Sequence, residues 1–597
     1  MVASGRNSRI ALAMTVAILL SASVATVSRG DDAYDSVMYR DPAITVSKTE
    51  STFDPGLLDL WLVALERPDV EMRTRAAMSI ARAQTLGMPG LSKAVDPLRK
   101  AFDRADQHLN VRLACAKALV ALDAKSAADS LLKFAEANSD AREMIFPALA
   151  RWDYAPARAV WLAILDRPAP FQREHVLAAE SLGTVKDANA VPKLRERLFA
   201  NEMTAPIRLE FARVLSRLQT SGLEPDAAKC TFDTLAAVTL LQNHSGPEAV
   251  RRLQEYARNR ETSVAAVAAK RLLAIDPNLV LPVLDVLLAN DDEAARGLAV
   301  ETMLRLPGKN QVGKLTVCLS DVHPLVRNQA RLALVKYAES GELKPAVMES
   351  LVAPLNGTDW RGQEQAALLA AQIGNTKVTK RLVELLASPR PETFKASAWA
   401  LQKLAVRETL PAVLEHVMMR QKQLPVTMST PGLENATGDD VDVQLSYLIQ
   451  FLGQARYKPA DETLRLFVPR FSGNRDMPRF SSMKPEARAA AIWALGYLYE
   501  NQTDADLAAK ILERLTGDPG MGRDDERVRR MAAVAMVRMK NSDALTGLKE
   551  NAEGDKPTVD IVAHTCRWSI AQLEKKPLPV PSVVKIPQVN WFLVPNR

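Results

Sequence analysis

One eight-residue pattern returns along this chain at a spacing in the low thirties, and that return limits the fold more than any other feature. "RLACAKAL" (Arg112–Leu119), "RNQARLAL" (Arg327–Leu334) and "RAAAIWAL" (Arg488–Leu495) share an Arg, a small residue at +3, Ala at +6 and Leu at +7. Looser copies begin at Arg73, Arg208, Arg296 and Arg529, and copies without the Arg stand at His175 and Phe394. Arg112 to His175 is 63 residues, His175 to Arg208 is 33, Arg296 to Arg327 is 31 and Phe394 lies 67 further on. These are single or double multiples of one period, which is the signature of a repeat array rather than of separate domains.

The pattern is helical. Val326, Ala330, Ala333, Leu334 and Tyr337 follow i, i+4, i+7, i+8 and i+11, one apolar stripe, with Arg327, Asn328, Arg331 and Lys336 largely off it. Pro324 suits the first turn of this helix, and Asp321 or His323 is placed to cap it. A second apolar segment precedes each copy, as in "LLDLWLVALE" (Leu57–Glu66), "AVDPLRKAFD" (Ala94–Asp103) and "VTKRLVELLA" (Val378–Ala387). The unit is therefore helix, tight turn, helix. One such hairpin cannot bury its own apolar face, so the hairpins must stack. Composition agrees: 47% of residues are hydrophobic but only 5% aromatic, so the core is built from Ala, Leu and Val, which suits closely packed helices.

The run D-x-x-P-x-V-R-x-x-A-x-x-A-L, complete from Asp321 to Leu334, resembles a HEAT repeat, of the short kind found in bacterial and phycobilin-lyase-like proteins. The resemblance covers most of residues 56–576 and implies an all-α, HEAT/armadillo-type α-solenoid of about 13–15 helical hairpins. It also implies a ladder in which the turn Asp and the helix-start Arg of adjacent units pair. Asp321 and Arg327 match that motif fully; Arg112, Arg208, Arg296, Arg488 and Arg529 match its Arg position.

Both ends depart from the repeat. "MVASGRNSR", "IALAMTVAILL" and Ser23-Val24-Ala25 have the charge, apolar length and small-residue cleavage site of an export signal. Residues 1–25 are thus predicted to be a signal peptide, with Thr26 as the mature start; the alternative is an uncleaved membrane tether. Residues 26–55 read as a linker. The tail 577–597 is Pro-rich and extended, yet its Trp591 and Phe592 are too apolar for a disordered end. It is expected to cap the last hairpin, with a docking peptide as the alternative. Insertions interrupt the array near 420–440, 468–485 and 516–526. In the second, Arg470, Phe471, Arg475, Arg479 and Phe480 interleave cations with aromatics and form a candidate partner-binding set, with Trp591 and Phe592 as further candidates. The competing reading has the Phe residues covering a repeat junction.

Catalytic signatures are scarce. "GKNQVGK" (Gly308–Lys314) has phosphate-loop spacing, but Leu315 stands where a Ser or Thr should follow, so it reads as a turn between repeats. There is no H-E-x-x-H, C-x-x-C or G-x-S-x-G. The reversed Glu174-His175 and Glu415-His416 pairs lie in distant repeats, and the six histidines are scattered. Neither a catalytic constellation nor a cofactor site is predicted. Cys115, Cys230, Cys318 and Cys566 stand far apart and read as small buried hydrophobes. The formal charge of +7 is small beside 77 basic and 70 acidic residues, which disfavours nucleic acid as a partner. The expectation is an exported (periplasmic or secreted), non-enzymatic scaffold that binds a protein or an envelope polymer. The alternative, implied by the family resemblance, is an enzyme or enzyme-assisting protein of the phycobilin-lyase-like type that handles a chromophore or cofactor.

Overall fold

The computed structural model describes residues 35–45, 47–104, 108–167, 172–200, 202–261, 263–426, 429–472, 479–518, 522–553, 560–578 and 583–595 of the 597-residue chain. The predicted signal peptide and Arg475 lie outside the described residues. Two compact units form. One holds residues 47–347 and the C-terminal segment from 583; the other holds 35–45, 348–553 and 560–578. Each is a stack of antiparallel helix pairs. Nine pairs fall in the first unit and six follow, fifteen among the described residues. The chain is thus the all-α, HEAT-type solenoid that the period predicted.

In the first unit the leading pair is α1 (Leu57–Glu66) and α2 (Val70–Thr85). Leu57, Leu58, Trp61, Ala64 and Leu65 bury one stripe of α1, and the Asp69 carboxylate accepts the Met72 N–H at 2.8 Å to cap α2. In the other unit five second-of-pair helices form a continuous layer: α3 (Pro391–Leu404), α4 (Gly438–Gln454), α5 (Pro485–Leu498), α6 (Glu526–Arg538) and α7 (Ile561–Leu573), each packed on the next. Thr437 and Asp440 start α4 with a reciprocal capping box. Two glycines set the spacing here. A Cβ on Gly453 would stand 2.7 Å from the Ala494 Cα, and one on Gly496 would stand 3.1 Å from the Ala535 Cα. Backbones that close leave room only for small side chains, which is why this layer is so rich in alanine.

The Arg ladder exists, and its rungs run forward from one pair to the next. Arg296 grips the Asp321 carboxylate with two bonds, at 2.7 and 2.9 Å. Arg488 grips Asp524 in the same way, at 2.9 and 2.7 Å. Arg529 donates to the Asn551 side chain at 2.7 Å. At Arg112 and Arg208 the acceptor is an aromatic face instead: the guanidinium lies 4.4 Å from the Phe134 ring centre and 4.7 Å from that of Phe232. Arg142, absent from the sequence reading, pairs with Glu174 at 2.5 Å. Arg327 does not pair with the Asp321 side chain; it bonds the Asp321 and Val322 carbonyls. Asp321 does not cap its helix either, because its second task is to accept the His323 N–H in the turn. In the copies lacking Arg, His175 meets the Arg167 carbonyl at 3.0 Å, and beside the copy at Phe394 Arg420 comes from the first helix of the next pair, Leu410–Lys422, to reach the Leu386 carbonyl at 3.1 Å.

Four short strands occur among the described residues: β1 (Thr49–Thr52), β2 (Phe471–Ser472), β3 (Arg479–Phe480) and β4 (Val584–Pro587). β1 and β4 pair in parallel, Thr49 opposite Val584, and the tail then folds over the first helix pair. Trp591 packs against Trp61 with ring centres 5.2 Å apart, and the Trp61 indole N–H donates to the Phe592 carbonyl at 2.7 Å. Arg82 lies over Trp591 and Arg75 over Phe592, both at 4.7 Å. The tail therefore caps the first hairpin, not the last. The reason is that no earlier helix pair among the described residues covers Trp61, the largest side chain of α1, and the tail carries the aromatic surface that matches it.

Of two smaller expectations, the first changes and the second holds. "GKNQVGK" is not a turn: Lys309–Lys314 are the first turns of the helix Lys309–Cys318. The four cysteines are buried and unpaired, and burial pushes the Cys115 thiol up to about 12.

Candidate peptide-binding face

The central turns of helices α4 and α5 leave no side in water. Nearly every residue of α5 from Ala487 to Gly496 is buried, as is α4 from Gln444 to Gly453, although Gln444, Ser446 and Gln450 are polar. A helix in a two-layer stack keeps one side in water. Here something covers that side, and it is the chain's own N-terminal segment, residues 35–45, which the sequence reading assigned to a linker.

Four successive helices hold this segment, each by a different feature. On α3, the Trp399 indole N–H lies 3.3 Å from both the Asp35 carbonyl and carboxylate, and the Lys403 ammonium pairs with that carboxylate at 2.8 Å. On α4, the Gln450 side-chain oxygen accepts from the Ser36 hydroxyl and the Met38 N–H, each at 3.1 Å. Gln402 donates to the same oxygen at 2.9 Å, and the Gln450 amide donates to Ser446, which fixes its orientation. On α5, the Glu486 carboxylate accepts from the Tyr39 hydroxyl at 2.9 Å. On α6, Arg530 donates to the Tyr39 carbonyl at 2.7 Å and lies over its ring. The segment ends on a clamp: Tyr497 of α5 and Arg538 of α6 both donate to the Asp41 carboxylate, with the Arg538 guanidinium 3.6 Å from the Tyr497 ring centre and 5.2 Å from that of Trp493.

The electrostatics follow this geometry. Burial, reinforced by Glu486, raises the Tyr39 hydroxyl well above the phenol range, and burial with the bond to Asp41 pushes Tyr497 up to about 12. Both phenols stay donors at any physiological pH. Within the segment Val37–Arg40 makes a single helical turn, and Met38 is its one fully buried side chain. Beside Tyr39 a pocket of about 270 Å³ is lined by Asp525, Glu526, Arg527, Arg530 and Ile561.

The residues singled out from sequence lie elsewhere. Phe471 and Phe480 are backbone register partners in the antiparallel β2–β3 pair, as are Ser472 and Arg479. Arg470 stacks on Phe471 at 5.3 Å, donates to the Gly522 carbonyl at 3.0 Å and pairs with Asp518 at 3.9 Å. The second and third insertions thus bind each other through a network of Arg470, Arg488 and Arg514 with Asp518 and Asp524. Burial alone would raise Asp524, but the bonds from Arg488 hold it below the usual carboxylate range. The adjoining pocket, about 460 Å³, is lined by Arg470, Lys484, Arg488, Arg523, Asp524 and Asp525. Arg470 and Arg488 already face carboxylates there, and Lys484 pairs with Asp439 at 2.6 Å. Trp591 and Phe592 are engaged in the cap on α1 and α2. Among the described residues no group of three or more His, Cys, Asp or Glu is arranged to hold a metal ion, and no helix is long and apolar enough to cross a membrane.

No protein-family model matches this chain, and no curated protein does so. Solved structures resemble it in fold. A structure of Kap95p with RanGDP has a TM-score of 0.47 at 13% identity, over 87% of this chain and 72% of that one. Yeast importin-beta (Kap95p) has a TM-score of 0.43 at 13% identity, over 86% and 72%. Kap121p bound to RanGTP has 0.47 at 13%, over 87% of this chain and 56% of that one. Likenesses this distant leave open what the chain binds, so its function has to be argued from its own side chains.

Proposed function

We propose that the chain is an exported, non-enzymatic scaffold that binds a protein partner along its helical stack. One observation carries the reading: the layer α3–α6 already holds a peptide segment, through side chains of four successive helices. That is how a stacked-helix surface binds protein, with one contact per repeat and specificity spread along the stack. The residues at this face offer hydrogen bonds, charge and aromatic surface, the means by which protein partners are held. Export rests on the charge, apolar core and cleavage site of residues 1–25.

The test is affinity capture from envelope extract with the chain from Thr26 onward as bait. A stoichiometric protein partner supports the reading. Retention of a polymer or a coloured small molecule, and of no protein, overturns it in favour of chromophore or cofactor handling. Export is tested separately, by the N-terminal sequence of the protein recovered from the envelope fraction, which is expected to begin near Thr26.

A further inference from the structure

The face on α3–α6 reads its segment residue by residue. Acid, hydroxyl, apolar, aromatic hydroxyl and acid occur in the order Asp35, Ser36, Met38, Tyr39, Asp41; Lys403 takes the first acid, Gln450 takes both the Ser36 hydroxyl and the Met38 backbone N–H, Glu486 takes the Tyr39 hydroxyl, and Arg538 with Tyr497 takes the last acid. We propose that this face is a docking site for an acidic segment of a partner protein with the pattern acid–Ser–x–Met–Tyr–x–acid, and that Asp35–Asp41 is an internal copy that competes for it. The inference rests on the scaffold reading above and adds the site and the chemistry of the partner.

Three observations point to a ligand rather than to a piece of core. First, the helices meet one another through Gly453–Ala494 and Gly496–Ala535 contacts that involve no residue of the segment. Second, five residues of the segment are fixed in place by polar contacts to side chains of four helices, beside the apolar helix surface that the segment covers. These directional contacts are ones that another chain of the same pattern reproduces. Third, the receptor side chains select by charge. Lys403 and Arg538 stand at the two ends, one for each acid, while Glu486 between them requires a donor, which the Tyr39 hydroxyl supplies. A basic or uncharged peptide would leave both cations unmatched against aromatic surfaces. An internal copy tethered to its site holds an advantage in effective concentration, so an incoming segment must match it closely to displace it.

The experiment uses the full mature chain and a fluorescent peptide of residues 35–45. In the D35A/D41A chain the internal copy loses both charged anchors, and this chain is expected to bind the peptide at least about tenfold more tightly than wild type does. Adding Arg538→Ala to that chain, or Asp41→Asn to the peptide, should remove the gain. Equal binding by wild type and the D35A/D41A chain overturns the proposal, and so does absence of binding to a D35A/D41A chain whose circular dichroism matches wild type. Should that chain unfold, hydrogen exchange of wild type decides. Amides of Val37–Arg40 exchanging well before those of α5 support a displaceable copy; exchange of both only in one joint unfolding event overturns it. Concentration-dependent dimers of the D35A/D41A chain would overturn the assignment to a different protein, because a second copy would then be the occupant. If capture yields the same partner with wild type and with the D35A/D41A/R538A chain, the scaffold reading stands and this site falls.

Discussion

At the scale of single residues, several junctions of the stack are held by an arginine reaching forward to whatever acceptor the next pair offers. Asp321, Asp524, Asn551, Phe134 and Phe232 all serve. The rung at Arg488 is the most deeply buried of the carboxylate rungs, with 5% of the Arg488 side chain and 2% of Asp524 exposed. Removing one partner leaves a buried charge unmatched, so Asp524→Ala is expected to cost about 3–5 kcal/mol, and the double change Arg488→Met with Asp524→Leu distinctly less. The urea midpoints of the two variants check this. His416 supplies a pH dependence. Burial, then the neighbouring Arg420, pushes its imidazole down to about 4, and the Gln444 amide bonds it at 3.2 Å. The folded state therefore prefers the neutral ring. Stability is complete above the unfolded value near 6.5 and falls as pH drops toward 4, by at most about 3 kcal/mol. Urea midpoints between pH 7 and 4 should show that slope, and His416→Gln should flatten it.

At the scale of elements, close approach and capping decide what the helices tolerate. Gly453→Ala would drive a methyl into the Ala494 backbone, so it is expected to be destabilising despite the better helix propensity of alanine. The tail covers α1 where no helix pair precedes it among the described residues. Trp591→Ala removes the ring that covers Trp61 and stacks with Arg82, and a loss of about 3 kcal/mol follows from large-to-small changes at such sites. The change is expected to appear as faster hydrogen exchange in α1 and α2.

For the whole molecule, the notable feature is that each terminal segment belongs with the other half of the chain. Residues 35–45 pack with the unit built from 348–578, and the segment from 583 packs with the unit built from 47–347. A truncation should therefore act far from its own place in the sequence. Starting the chain at Ser47 is expected to raise hydrogen exchange in α4 and α5 and to leave α1 and α2 unchanged. Ending it at Lys576 should do the reverse, and truncations that each perturb the nearer half would contradict this arrangement.

The array was legible in the sequence because a helix stripe and a rung arginine are local signals that repeat. Residues 327–337 specify their own helix and its buried side, and the spacing of copies specifies stacking and about as many hairpins as form. The peptide-holding face was partly legible too. "AAAIWAL" at Ala489–Leu495 has no polar side, and an outer cover follows from that alone. What covers it was not legible. Asp41 meets Arg538 across 497 residues, and Trp61 meets Phe592 across 531. No periodicity links such partners, and charges and aromatics in 35–45 and 583–595 look the same in a linker as in a ligand. The bias of Arg470 and its neighbours toward cations and aromatics was likewise real but ambiguous, because Asp518 and Gly522, which engage Arg470, lie about fifty residues away. Sequence determined the repeating unit, since its energetics are local; tertiary structure alone decided which surfaces the two ends cover, since that choice is made between groups that only the folded chain brings together.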